Sequence, residues 1–255
     1  MIARIAAVLI VLGAATVAPV ASAEPPGAVP VVMPTVLAAI PHDTTAFTEG
    51  LEVDGDALYE STGENGKSDL RQVDPATGRV LRKTLLPNNY FGEGFAVLGD
   101  RILQLTYDGN VMLEWDKATL TVRREIPFPN AWGICRDGDR LVVSDGGSRL
   151  AFYDMNLTQI GSVDVTLNGD PAYGLDELEC VDGQVWAALW PSTQIGRVDP
   201  ATGVVDLVTD TRGLWRWGQR SNRQVFSSLA WVGGDEFLMV GKEWPEMMRV
   251  RLPGA

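Results

Sequence analysis

The chain has 255 residues with 33 acidic against 21 basic side chains, a net charge of −12, which sets it against nucleic acid and anionic membrane surfaces as partners. Hydrophobic residues at 45% and charged residues at 21% give the balance of a globular chain and exclude a disordered one. One histidine and two cysteines leave too few ligands for most zinc sites and little room for a Ser-His-Asp hydrolase, while 27 glycines and 15 prolines point to many turns and so to many short strands.

Met1–Ala23 begins with Arg4, continues as an apolar run from Ile5 to Val20 and ends in Ala21-Ser22-Ala23 before Glu24. A charged start, an apolar middle and a small-residue cleavage site are the layout of a secretory signal peptide. A transmembrane anchor is the alternative, because the run is nearly long enough to span a bilayer. The small residues and the Ala-x-Ala ending favour cleavage. The Pro-rich stretch Glu24–Pro34 reads as a flexible leader, and residues 35–255 as one domain. No other segment is apolar enough to cross a membrane, so the expectation is a soluble protein exported to the periplasm or the medium. Export bears on Cys135 and Cys180, since two cysteines in an oxidising compartment tend to pair. Each lies three residues after an equivalent repeat position (Trp132 and Glu177), which puts their strands side by side at one height and predicts a structural disulfide.

The rest of the chain repeats itself. Val73-Asp74-Pro75-Ala76-Thr77-Gly78 returns as Val198-Asp199-Pro200-Ala201-Thr202-Gly203, with weaker copies around Asp116 and Asp154; the four aspartates are spaced 42, 38 and 45 residues apart. A second series of turns, at Gly55, Gly99, Gly138, Gly183 and Gly234, steps by 44, 39, 45 and 51. After each of these turns comes a short strand-like run, such as Arg101–Leu105 or Gln184–Leu189. A period of ~40–50 residues in an all-β chain marks propeller blades. The prediction is a five-bladed β-propeller with four antiparallel strands per blade. The fifth unit ends at Arg249–Leu252 without an outer strand, and Val36–Ile40 would supply it and close the ring.

In such a ring the inner strands line a central channel whose mouth is the usual binding site. The residues opening each unit are Phe47-Thr48-Glu49-Gly50-Leu51, Phe91-Gly92-Glu93-Gly94-Phe95, Ala131-Trp132-Gly133-Ile134, Gly174-Leu175-Asp176-Glu177-Leu178-Glu179 and Phe226-Ser227-Ser228-Leu229-Ala230. The mouth is therefore expected to hold Glu49, Glu93, Asp176 and Glu177 beside Trp132, with Tyr107, Trp190 and Lys242-Glu243-Trp244 contributed by loops and second strands. Acidic groups between aromatic walls suit a small cationic or amide-bearing ligand such as a peptide N-terminus. Clustered carboxylates also raise one another's pKa, which makes one of them a proton donor. Plainer roles are open for each: a water or structural cation on the axis at Glu93, packing for Trp132 and Trp190, a surface position for Lys242. Asp74 and Asp199 are turn formers, and His42 reads as a leader or edge-strand residue without a catalytic role.

These motifs, together with Leu58-Tyr59-Glu60-Ser61-Thr62-Gly63, Ser144-Asp145-Gly146 and Gly241-Lys242-Glu243-Trp244-Pro245, resemble the plant and bacterial type of glutaminyl cyclase over nearly all of Phe47–Leu252. The resemblance implies a five-bladed propeller that converts N-terminal glutamine to pyroglutamate with release of ammonia and without a catalytic metal. It implies Glu93 as the central acid/base, Trp132 and Trp190 as substrate-binding residues and Lys242 as a second catalytic group; Phe47, Glu49, Tyr107 and Asp176 join the substrate-binding set from their places at the mouth. Partners would be glutamine-bearing peptide or protein N-termini, bound by a monomer. The sequence departs from the family pattern where Glu49 and Asp176 replace amides, Tyr107 replaces a tryptophan, and Ser227-Ser228 replace Asn-Gly. Two other readings are carried forward: a secreted propeller that binds peptides without turnover, and a calcium-dependent lactonase using Glu49, Glu93 and Asp176.

Overall fold

The computed structural model describes residues 27–254; the expected signal peptide lies outside the described residues. Apart from two single-turn 3₁₀ segments the described chain is strand and loop. Five antiparallel sheets follow one another along the chain. Blade 1 comprises Thr48–Asp54, Ala57–Thr62, Asp69–Val73 and Val80–Leu85. Blade 2 comprises Phe91–Leu98, Arg101–Tyr107, Val111–Asp116 and Thr121–Pro127. Blade 3 runs through Ile134–Asp137, Arg140–Val143, Arg149–Asp154 and Gln159–Asp164. Blade 4 runs through Leu175–Val181, Gln184–Leu189, Gln194–Val198 and Val205–Asp210, and blade 5 through Phe226–Gly233, Glu236–Gly241 and Glu246–Arg251. The first strands of successive blades contact one another in a closed ring, so the chain is a five-bladed β-propeller.

The turn that repeats in the sequence sits between the third and fourth strands, where an aspartate side chain replaces a missing backbone partner. Asp74 Oδ1 accepts from Ala76 N at 2.9 Å, Asp199 Oδ1 from Ala201 N at 2.9 Å, and Asp154 Oδ1 from Asn156 N at 2.9 Å. Such Asx turns reverse the chain in the hairpin without a ligand, and these aspartates are turn formers. Between blades the faces are filled by large side chains: Trp115, Trp186 and Trp244 are fully buried, and Trp186 packs on Phe237 with centroids 5.4 Å apart.

Blade 5 takes its fourth strand from the other end of the chain. Thr35–Pro41 pairs antiparallel with Glu246–Arg251, with Val36 opposite Val250 and Ile40 opposite Met247. Val31–Val32, within the stretch expected to be a leader, runs parallel to the outer strand of blade 4 and adds a fifth strand there. Ring closure removes the open edges that an unfinished repeat would expose. The predicted disulfide is present: Cys135 on the inner strand of blade 3 bonds Cys180 on that of blade 4, with Cα atoms 5.5 Å apart.

His42 directly follows the closing edge strand, and its side chain is buried in the closure and not left at a loose edge. Its Nδ1 lies 2.7 Å from Trp244 O and its Nε2 lies 2.9 Å from Glu60 Oε1. A carbonyl and a carboxylate both accept, so the ring satisfies both only as imidazolium. Burial works against that charge, but Glu60 and the carbonyl outweigh it and hold the His42 pKa above its ordinary 6.5. A raised pKa contributes stability that is complete below the unfolded-state value and lost as pH climbs through the folded one. The melting temperature of the native chain should therefore exceed that of His42→Gln by several degrees at pH 6, at ~2–4 °C per kcal/mol for a domain this size. The gap should shrink as the pH rises above 6.5; a gap that stays constant in pH-dependent melts would contradict the charged state.

Candidate active site

Four of the five inner strands, all but that of blade 3, slip register at the same end of the ring, and the slipped residues are the chemically interesting ones. In blade 1 Thr48 pairs with Thr62 and Gly50 with Ser61, leaving Glu49 extra. In blade 2 Gly92 pairs with Thr106 and Phe95 with Gln104, so Glu93-Gly94 face Leu105 alone. In blade 4 Leu175 pairs with Leu189 and Leu178 with Ala187, so Asp176-Glu177 face Ala188 alone. Blade 5 repeats the slip at Ser227, between the pairs Phe226–Gly241 and Ser228–Val240. A β-bulge re-aims the side chain it carries. One carboxylate oxygen from each of Glu49, Glu93 and Asp176 lies within 4.8 Å of the others, although the three residues are buried.

Close backbone approach makes this possible. Gly94 N donates to Trp132 O at 2.8 Å across the seam of blades 2 and 3, and a Cβ on Gly94 would sit 2.7 Å from that same oxygen. Gly146, with φ +80°, lies beneath the Trp132 ring, which a Cβ there would meet at 2.7 Å. The indole of Trp132 thus rests on a residue that must be glycine on both counts.

Lys242 follows Gly241 at the end of the second strand of blade 5, tied by its N–H to Val225 O at 2.9 Å. Its ammonium lies 2.7 Å from Glu49 Oε2 and 4.7 Å from the centre of the Phe47 ring. Burial opposes its charge, yet Glu49, Asp176 and Glu93 raise its pKa, so it stays an ammonium. Like charges at this spacing repel by ~3 kcal/mol at an effective dielectric of ~20. Burial first, then Glu49 and Asp176, push the Glu93 pKa well above the carboxylate range. Burial lifts Glu49 to about 8 against the pull of Lys242 and Asp176 to about 6.

Around this acidic floor runs a belt of edge-to-face rings. Phe47 meets Phe91 at 6.0 Å, Phe91 meets Tyr107 at 6.0 Å, Tyr107 meets Trp132 at 6.4 Å and Trp132 meets Trp190 at 5.9 Å. Floor and belt enclose a cavity of about 550 Å³. All eight residues singled out from the sequence as catalytic or substrate-binding (Phe47, Glu49, Glu93, Tyr107, Trp132, Asp176, Trp190 and Lys242) line it. Lys242 is buried, not a surface lysine.

Glu177, Glu243 and Trp244 are expected at the mouth and do not line it. Glu177 crosses the axis, where its Oε1 accepts from Leu51 N of blade 1 at 3.1 Å. Deeper in the channel Glu52 accepts from Val97 N at 2.8 Å and Glu179 from Trp231 N at 2.8 Å; these carboxylates join neighbouring blades. Trp244 is buried behind Phe226, with its Nε1 donating to Gln224 O at 3.1 Å. The cavity also gains Phe91, Asn65, Pro191, Asn222, Arg223 and Val225. Phe91 stood next to Gly92-Glu93 in an inner-strand motif, a signal that was available. The Asn222–Val225 segment lies in a long inter-blade loop with no repeat to flag it.

Fold and site together define a propeller with a cluster of buried carboxyls sunk in an aromatic mouth, and comparison with known proteins narrows that class. The family model described as glutamine cyclotransferase matches residues 6–252. The chain is 36% identical over 231 residues to a glutaminyl-peptide cyclotransferase of Arabidopsis thaliana, covering 86% of this chain and 71% of that protein. The crystal structure of the Myxococcus xanthus glutaminyl cyclase superposes with a TM-score of 0.81 at 33% identity, covering 88% of this chain and 97% of that one. The chain belongs to the glutamine cyclotransferase family.

Proposed function

We propose that the chain closes the N-terminal glutamine of peptides or proteins to pyroglutamate with release of ammonia. The observation that carries the reading is Glu93, a buried carboxyl with a raised pKa at the floor of the aromatic cavity. The reaction is an intramolecular aminolysis, so the protein need not supply a nucleophile. The neutral α-amine attacks its own γ-carboxamide carbon, and a new C–N bond forms as the old one breaks. Glu93 takes a proton from the attacking nitrogen and delivers it to the departing one, which leaves as ammonia. Burial and the neighbouring carboxylates raise the Glu93 pKa, which suits a group that must hold a proton between the two transfers. Phe47, Tyr107, Trp132 and Trp190 fold the flexible glutamine side chain into a reactive conformer, and Lys242 stabilises the oxyanion. Asp176 and Glu49 face the amine as it arrives protonated. The chain works in an oxidising compartment outside the cytoplasm, consistent with its disulfide; among the described residues no helix is long and apolar enough to cross a membrane.

The test is ammonia release from a short Gln-initiated peptide in EDTA, with Glu93→Gln as control. Release by the native chain alone is the expected result. Peptide binding without release would indicate a propeller that only binds. Release or ester hydrolysis abolished by EDTA would favour a cation held by the three converging carboxylates.

Glu49→Gln should raise kcat/KM by about tenfold above pH 8, where Glu49 is ionised, because removing that charge beside Glu93 lowers its pKa and tenfold more of it is then ionised per pH unit. The acid limb of the pH profile should move down with it, and a profile that does not move would disprove the electrostatic account. Lys242 loses its partner, so the same variant should melt at a lower temperature.

A further inference from the structure

Arg223 stands at the rim between blades 1 and 5, on a loop outside every repeat, and lines the cavity without touching the acidic floor. Its guanidinium lies 4.9 Å from the centre of the Phe47 ring, and Lys242 Nζ lies 4.7 Å from the same ring. Phe47 therefore has two cations over its ring: Lys242 belongs to the reacting centre, and Arg223 is half exposed at the cavity entrance. Two carboxylates fix Arg223. Its Nε donates to Glu243 Oε1 at 3.0 Å and its Nη2 to the same oxygen at 2.8 Å; Nη2 also bonds Glu64. Nη1 is bonded to none of the described residues. Lys67 in turn pairs with Glu64 at 3.1 Å, so two cations face two carboxylates and the cluster is neutral.

Resting on the cyclase reading of the floor, we propose that Arg223 is a specificity-determining residue, whose Nη1–H donates to the backbone carbonyl of the residue following the substrate's glutamine. The directions fit this task. The glutamine amine must reach Glu93 at the floor, so the remainder of the peptide leaves past the rim. The aromatic belt offers a leaving chain only the neutral donors of Tyr107, Trp132 and Trp190, and an extended peptide presents a carbonyl at each residue. The guanidinium is anchored on a rigid ring and two carboxylates, so little rotamer freedom is lost on binding. Because the cluster is already neutral, it offers hydrogen bonding to a neutral acceptor and not net charge for an anion. The site therefore distinguishes a peptide from glutamine amide without selecting acidic side chains at the second position.

The test compares Arg223→Met, which keeps an apolar stem against Phe47 but has no donors, with the native chain on glutamine amide and on Gln-Ala-Ala-amide. The expected result is a loss in kcat/KM about tenfold larger for the tripeptide than for glutamine amide, carried by KM, with equal melting temperatures. A tenfold ratio is the size of one charge-assisted hydrogen bond. Gln-Glu-Ala-amide and Gln-Ala-Ala-amide should lose equally. The same comparison made on dissociation constants in the Glu93→Gln background decides the role of Arg223 even where turnover is absent; absent turnover in the native chain would count against the cyclase reading alone. Equal losses on amide and tripeptide would overturn the proposal, since they would mean that Arg223 acts through Phe47 and Lys242. A tripeptide-specific loss that appears in kcat alone, or no loss at all, would overturn it as well.

Discussion

Glu93→Gln will lower kcat on a Gln-initiated peptide by ~10²–10⁴-fold, the range of a positioned acid/base group, and the protein will not be less stable for it. Glutamine has the same shape and fits the bulge that Glu93 occupies opposite Leu105, but an amide cannot carry a proton between nitrogens. The floor loses one of three buried acids that repel one another, so the melting temperature should hold or rise. Activity and stability move apart, which a mutation that merely damaged the fold would not achieve. Stopped assays on the purified variant and a thermal melt give both numbers, and a variant that cyclises at the native rate removes Glu93 from the mechanism. The pH profile carries a second signature. Glu93 must be ionised to accept the amine proton, so the acid limb of kcat/KM should lie above the usual carboxylate range and disappear with the carboxyl.

The other large effect is on stability. Replacing Cys135 and Cys180 together by alanine will cost ~4 kcal/mol, the loop-closure value for a bond spanning 45 residues. For a domain of this size that is about 8–16 °C in melting temperature. The bond ties inner strands of neighbouring blades, close to where Gly133 packs so near Asp176 O that a Cβ would approach to 2.0 Å. Loosening that seam shifts the Asp176 backbone, and KM should rise with the drop in stability. Melts of the double variant against the native chain in the absence of reductant test this. A difference of only a degree or two would show that closure of the ring, not the disulfide, constrains blades 3 and 4.

The ring was legible because its turns repeat: Asp74 and Asp199 lie in nearly identical hexapeptides, and the missing outer strand of the fifth unit directed attention to Val36–Ile40. The floor of the site was legible as residue types at the openings of the units, since Glu and Asp have no reason to stand where a plain inner strand would carry Val or Ile. What the sequence did not reveal is which member of each opening faces the cavity. Asp176 and Glu177 are adjacent and chemically alike, and only the two-against-one register with Ala188 sends one to the substrate and the other across the axis. His42 was illegible for another reason. Its partners Glu60 and Trp244 lie in blades 1 and 5, and such a constellation exists only once the ring has closed. Arg223 belongs to a loop without periodicity, where charge alone says nothing about what it faces.

The closing strand has a consequence for biosynthesis. His42 and Trp244 are partners 202 residues apart, and the strand that completes blade 5 is made before any strand of blade 1, while its neighbour Glu246–Arg251 is the last strand of the ring. Blades can form one by one as the chain emerges, but the ring cannot lock until the last strand of blade 5, Glu246–Arg251, has been made. Contacts of such sequence separation form slowly, so the unfinished chain remains an open, threadable string of hairpins. A domain whose closing strand were clipped would leave Glu246–Arg251 as an open sheet edge.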